Sequence, residues 1–114
     1  MLKLDILTVR RPDTTHEQFL VYWRDRHAPF FASQPIVKKT VRRYLQSQTL
    51  DETPPGIPTA PFDGIAQLWF DDVDGFLEYL QSPNYQDVIR LDELKFVDPR
   101  KVQFLFSTET SIIG

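Results

Sequence analysis

The chain has no cysteine, which excludes disulfides, thiolate nucleophiles and every zinc or iron–sulfur site built from sulfur ligands. Histidine is nearly as scarce. His16 and His27 are the only two, and no His-x-x-x-His spacing exists to seed a transition-metal site, so no metal is expected. The four glycines never fall in the spacing that cradles a dinucleotide or nucleotide phosphate, so NAD, FAD and ATP have no binding motif and no cofactor is expected. No apolar run approaches the roughly 20 residues of a membrane span. Lys3 and Asp5 interrupt the apolar residues after Met1, where a signal peptide needs an unbroken core. At 114 residues, 41% hydrophobic and 25% charged, the expectation is one globular domain, residues 1–114, in the cytoplasm.

The net charge of −3 conceals an asymmetry: residues 1–50 carry nine Lys/Arg against four Asp/Glu (+5), and residues 51–114 carry four against twelve (−8). The cluster Lys38, Lys39, Arg42 and Arg43 lacks interleaved aromatics, and strand alternation would split it between two faces. A solvated or inter-subunit surface fits it better than nucleic acid, which is not expected as a partner.

Residues Leu2 to Val9 alternate loosely and predict a strand. Arg11-Pro12-Asp13 ends it, and Thr14-x-x-Glu17 has the pattern of a capping box opening a helix over 15–27, which Pro29 should stop. Val37 to Thr49 reads as a second strand. Asp51 to Phe62, with four prolines and a glycine, is a loop long enough to suggest a lid or a dimer contact. Gly64 to Phe70 is a third strand. Asp71 or Asp72 can cap a helix carrying Phe76, Tyr79 and Leu80 on one face, and Ser82-Pro83 starts a short helix to about Leu94. Lys101 to Thr110 completes a β-α-β-β-α-β order, the α+β ferredoxin-like arrangement of a four-stranded antiparallel sheet with helices on one side. Leu7, Val9, Ala66, Leu68, Phe70 and Leu105 alternate with Ile6, Ile65, Trp69, Phe104 and Phe106, so whichever set meets the helices, the other leaves an apolar sheet face. Two such sheets packed face to face in a homodimer would bury it.

Residues four apart on a helix stack above one another, so Phe19, Trp23 and His27 form one stripe. An apolar stripe ending in a titratable ring can give a greasy pocket one proton-transfer group. Tyr44 on the second strand can hold an oxygen on which charge develops, and Gln46, two residues on, shares its face. Arg24 and Arg26 read as helix-surface charges. His16, near the helix start, reads as solvated.

These pieces together resemble the EthD branch of the dimeric α+β barrel proteins: Arg11-Pro12; Phe19-x-x-Tyr22-Trp23-x-x-x-His27-Ala28-Pro29; Arg43-Tyr44-Leu45-Gln46; Asp63 to Phe70; Asp92-Glu93-x-x-Phe96-Val97-Asp98. The resemblance implies a homodimer with one ligand cavity per subunit, between sheet and helices. The related methylmuconolactone methylisomerases pair a histidine at the end of the first helix with a tyrosine on the second strand, positions that His27 and Tyr44 match. The loop histidine and third-strand cysteine of that pattern are absent, Leu68 standing at the latter, and the lactone chemistry does not carry over with them. Tetracenomycin-type polyketide cyclases are similar in fold and carry a histidine near that helix end. The expectation is a small-molecule-binding protein and cofactor-independent acid–base enzyme of lyase, dehydratase or isomerase class. Its ligand would be a carbonyl-bearing aromatic or alicyclic compound, with His27 and Tyr44 catalytic and Phe19, Trp23, Gln46 and Leu68 around the ligand. The alternatives are a non-catalytic binding protein of a degradative oxygenase system and a cofactor-free monooxygenase.

Overall fold

The computed structural model describes residues 1–114. Strand β1 (Leu2–Thr8) leads to a helical run made of α1 (His16–Tyr22), a π-helical segment (Trp23–His27) and α2 (Ala28–Ser33). Helix α3 (Pro35–Thr40) precedes β2 (Val41–Gln48), the proline-rich connection precedes β3 (Gly64–Phe70), and α4 (Val73–Gln81) follows. A second π-helical segment (Tyr85–Ile89) runs into α5 (Arg90–Glu93), and β4 (Gln103–Ser107) closes the sheet. The strands pair antiparallel in the order β2-β3-β1-β4, which is the ferredoxin-like arrangement.

The core lies on the helical side of the sheet. Leu4, Ala66, Leu68 and Phe70 face Phe19, Trp23 and Phe31 from the first helical run, with Tyr79, Ile89 and Phe96 closing the other end. Each such large side chain contributes about 1.5–3 kcal/mol on burial. Asp72 caps α4 by accepting from the Gly75 N–H at 2.8 Å, and Ser82 Oγ accepts from the Tyr85 N–H at 3.0 Å, as their positions predict.

Several local expectations are corrected. The capping box sits one residue later, with Thr15 as cap and Gln18 reaching back, while Thr14 donates to the Arg11 carbonyl to tighten the preceding turn. Pro29 does not stop the helix: Ala28 keeps helical angles (φ −60°, ψ −48°). The π segment is the reason, because its wider turn relieves the proline ring of its clash with the carbonyl of the preceding turn and needs no N–H from it. Val37 to Thr40 are helical rather than extended. Pro35 at the start of α3 overrides the β preference of Val37, whose side chain gains burial on the helix.

The two sheet faces are also drawn differently from either alternating set. Leu4, Ile6, Ala66, Leu68, Phe70, Phe104 and Phe106 share the helix side. The opposite face pairs Leu7, Ile65, Leu45 and Leu105 with Lys3, Asp5, Arg43 and Gln67. Trp69 on that face is 5% exposed: Lys3 and Arg43 lie over its ring and its Nε1–H donates to Glu109 of the C-terminal segment. The outer face is therefore mixed, apolar side chains among charged and polar ones, and not a continuous apolar sheet.

Candidate functional site

The stripe on the first helical run is buried as its spacing requires: Phe19, Trp23 and His27 are 1%, 2% and 4% exposed. Trp23 packs against Gly64, where a β-carbon would stand 2.6 Å from its Cζ3, so the absence of a side chain at the start of β3 lets the indole reach the sheet. Phe19 packs against Trp23 and Phe96 one layer behind.

His27 Nδ1 lies 2.7 Å from Asp92 Oδ2, whose other oxygen accepts from the Tyr22 hydroxyl at 2.6 Å. Burial works against a charge on Asp92, but the hydrogen bonds from Tyr22 and His27 outweigh it and hold the carboxyl below its ordinary range. A carboxylate only accepts, so Nδ1 of His27 carries the proton and Nε2 keeps its lone pair. Burial, only partly offset by Asp92, lowers the His27 pKa, which keeps the imidazole neutral and able to act as a base at neutral pH. Lys95, 3.6 Å from Asp92 Oδ1, adds a positive charge at the outer edge.

His27 lines a chamber of about 30 Å³ together with Tyr44, Trp23, Leu68, Phe31 and Glu93. The Gln46 amide donates to the Trp23 carbonyl at 3.0 Å and to the Tyr44 hydroxyl oxygen at 2.8 Å. The hydroxyl oxygen of Tyr44 is thus an acceptor from the protein, which leaves its own proton to be donated. Burial pushes this phenol up to about 12, so it serves as a hydrogen-bond donor that stays protonated across the neutral range. Of the residues the sequence singles out, His27, Tyr44, Trp23 and Leu68 meet at the chamber. Gln46 acts from behind Tyr44, and Phe19 supports Trp23.

A much larger groove, about 490 Å³, adjoins the chamber between β1, β4, α4 and the second π segment. It is lined mainly by apolar side chains, Leu4, Phe76, Leu80, Phe104 and Phe106 among them, and falls in the size range of small-molecule pockets. The chamber by itself holds little more than one water molecule or one functional group. A ligand that reaches His27 must therefore leave its body in the groove. No cluster of three His, Asp or Glu side chains is placed to hold a metal ion.

Three residues of the site escape a reading by spacing. Asp92, Tyr22 and Glu93 carry no local signature, and His27 and Asp92 stand 65 positions apart. The Asp92-Glu93 pair stood out only as part of the family-like pattern. His16 is not solvated: its Nδ1 is 2.7 Å from Asp63 Oδ1 and its Nε2 is 3.1 Å from the Thr49 carbonyl, which joins the two ends of the proline-rich loop.

A family profile for the EthD domain matches residues 11–100, most of the chain. The protein belongs to the EthD family. An EthD family protein from Bacillus halodurans C-125 is similar in structure at a TM-score of 0.69 and 18% identity, covering 96% of this chain and 99% of that one. An EthD-like protein from Ralstonia eutropha JMP134 gives 0.68 at 17% identity, covering 93% and 88%. A dimeric protein of unknown function with a ferredoxin-like fold from Bacteroides fragilis NCTC 9343 gives 0.60 at 15% identity, covering 93% of each chain. At these identities the likeness establishes the ferredoxin-like fold of this EthD protein and not its chemistry. No curated protein matches the sequence.

Proposed function

We propose that this EthD protein is a cofactor-independent acid–base enzyme acting on a small carbonyl-bearing aromatic or alicyclic compound. The observation that carries the reading is the His27–Asp92 pair in the wall of an apolar chamber. His27 Nε2 takes a proton from a carbon next to the carbonyl. Tyr44 donates its hydroxyl hydrogen to the carbonyl oxygen as negative charge develops there, and Asp92 holds the imidazole in the tautomer that exposes Nε2 and stabilises the imidazolium formed. Trp23 and Leu68 wall the reacting end, and the groove takes the rings.

The working unit is a homodimer joined through the outer sheet face. That face offers Leu45 at 41% and Leu105 at 53% exposure, and it contains Asp5 Oδ1, a buried oxygen that accepts no hydrogen bond and has only the Lys3 ammonium, 3.7 Å away, for company. The related Bacteroides fragilis protein is dimeric. No helix of the chain is long and apolar enough to cross a membrane.

The test uses 2-tetralone, a bicyclic ketone sized to the groove, incubated with the protein in D₂O. Proton NMR should show protein-accelerated exchange of the hydrogens next to the carbonyl. His27→Ala should reduce that rate by about 10²-fold or more while the probe still binds. Binding of the probe with no acceleration would favour the non-catalytic binding protein instead.

A further inference from the structure

Five residues belong to the walls of both the chamber and the groove: Ile6, Thr8, Tyr79, Glu93 and Val97. Glu93 is the only carboxyl among them. It follows Asp92 on α5, so that one short helix presents one carboxyl to His27 and the next to the passage between the two cavities. Its Oε1 accepts from the Tyr85 hydroxyl at 2.7 Å, which fixes the head group while leaving its other oxygen uncommitted. Arg90 lines the groove with it but forms no ion pair with it, and an unpaired carboxyl in an apolar passage is costly unless it has a task.

We propose that Glu93 is a further catalytic residue beside His27 and Tyr44, a proton donor to the part of the ligand lying in the groove while His27 removes a proton from the part lying in the chamber. The proposal rests on the acid–base reading above. In one turnover a C–H bond breaks, its proton passing to His27 Nε2, and the electron pair moves into the enolate. The Glu93 O–H bond then breaks and its proton forms a new bond to the ligand on the groove side, at carbon for an isomerisation or exchange, or at a departing hydroxyl that leaves as water. His27 is left protonated and Glu93 ionised. Solvent entering the open groove restores Glu93, and His27 returns its proton to water, so the protons balance.

The groups around Glu93 favour its acid form. Burial pushes its pKa up to about 7, opposed by the Tyr85 hydrogen bond and by Arg90 and helped by the neighbouring Asp92. Tyr44 from β2, Tyr79 from α4 and His27 from the first π segment line the same walls, and none of them brings a fixed positive charge. His27 with a lowered pKa and Glu93 with a raised one are thus neutral base and neutral acid over the same pH window.

The test again uses 2-tetralone in D₂O, now from pH 5 to 9, with the wild type, Glu93→Gln and His27→Ala. The wild-type rate should be bell-shaped, rising as His27 loses its proton and falling near pH 7 as Glu93 loses its own. Glu93→Gln keeps the shape of the side chain and the Tyr85 contact; it should lower the rate by about tenfold or more and abolish the falling limb. Carboxyl ¹³C NMR on wild-type protein gives a second readout that needs no variant to fold. One glutamate signal should titrate near neutrality and shift when 2-tetralone is added. An unchanged falling limb in Glu93→Gln, or a titrating signal indifferent to the probe, overturns the role of Glu93 alone. Absence of exchange by the wild type at every pH overturns the acid–base reading and this proposal together.

Discussion

Asp92 shows how much one side chain is asked to do. It accepts from Tyr22 and His27 at once, and its charge decides which imidazole nitrogen bears the proton. Asp92→Asn preserves size and can still hydrogen-bond, but its amide can donate to Nδ1 and favour the opposite tautomer. Exchange of the 2-tetralone hydrogens should fall by about 10²-fold or more with little change in probe affinity, read as kcat lost at constant KM. Gly64 makes the complementary point about space. A β-carbon there would lie 2.6 and 2.8 Å from Trp23 Cζ3 and Cη2, and the indole, packed on Phe19, can give way only toward the small chamber. Gly64→Ala should destabilise the fold by about 1–3 kcal/mol in urea unfolding, and it should change tryptophan fluorescence as Trp23 tilts toward the chamber.

At the scale of elements, both helical runs that carry the site contain a π segment, Trp23–His27 and Tyr85–Ile89. Each adds to the width of the turn just before a functional group, His27 at the end of the first and Asp92-Glu93 three and four residues beyond the second. The proline-rich connection is held differently. His16 bonds to Asp63 and to the Thr49 carbonyl, and Arg10 donates to the same carboxylate through its backbone N–H at 2.8 Å and its Nη1 at 3.0 Å. Burial alone would lower the His16 pKa, but the Asp63 and Thr49 hydrogen bonds and the charges of Asp63 and Asp51 raise it above 6.5. Asp63 is held below its ordinary range because the Arg10 and His16 donors outweigh its burial. The signs follow: the stabilisation from His16 is fully present below pH 6.5 and lost as pH rises through its folded pKa, while that from Asp63 is lost only as pH falls through its own lowered value. The hydrogen-exchange protection factors of residues 49–63, corrected for the intrinsic base-catalysed rise in exchange, should therefore fall as pH rises above 6.5 through the raised His16 pKa, and His16→Ala should remove that pH dependence of protection while leaving the sheet protected. A loop equally protected across that range in the wild type would show that His16 does not hold its ends.

For the whole molecule, the question is how the outer sheet face is covered. Lys3 pairs with Asp5 and both Lys3 and Arg43 lie over Trp69, but the exposed Leu45 and Leu105 and the Asp5 oxygen that accepts no hydrogen bond point to a further layer. Leu105→Asp and Leu45→Asp should each shift the protein from dimer to monomer in sedimentation velocity at micromolar concentration, with the far-UV circular dichroism of the sheet retained. A wild type that sediments as a monomer would remove the dimer. The chamber and groove lie on the opposite, helical side of the sheet, so a monomeric variant should keep its affinity for 2-tetralone if each site is built from one subunit.

Much of this was legible in the chain itself. The strand and helix order, the caps at Asp72 and Ser82, and the stripe of Phe19, Trp23 and His27 follow from local periodicity and from the chemistry of short polar side chains, which neighbours in sequence decide. Helical periodicity also placed His27 on the buried side. The run through Pro29, the helix at Val37 and the division of the sheet faces were decided by packing, because a π turn and a buried valine outweigh local preference only when the rest of the core is in place. The carboxylate that fixes the tautomer of His27, and the carboxyl at the passage beside it, come from the far end of the chain. Hydrogen bonds across 65 positions leave no mark on periodicity, and the burial that tunes His27 and Glu93 exists only once sheet and helices have closed around them.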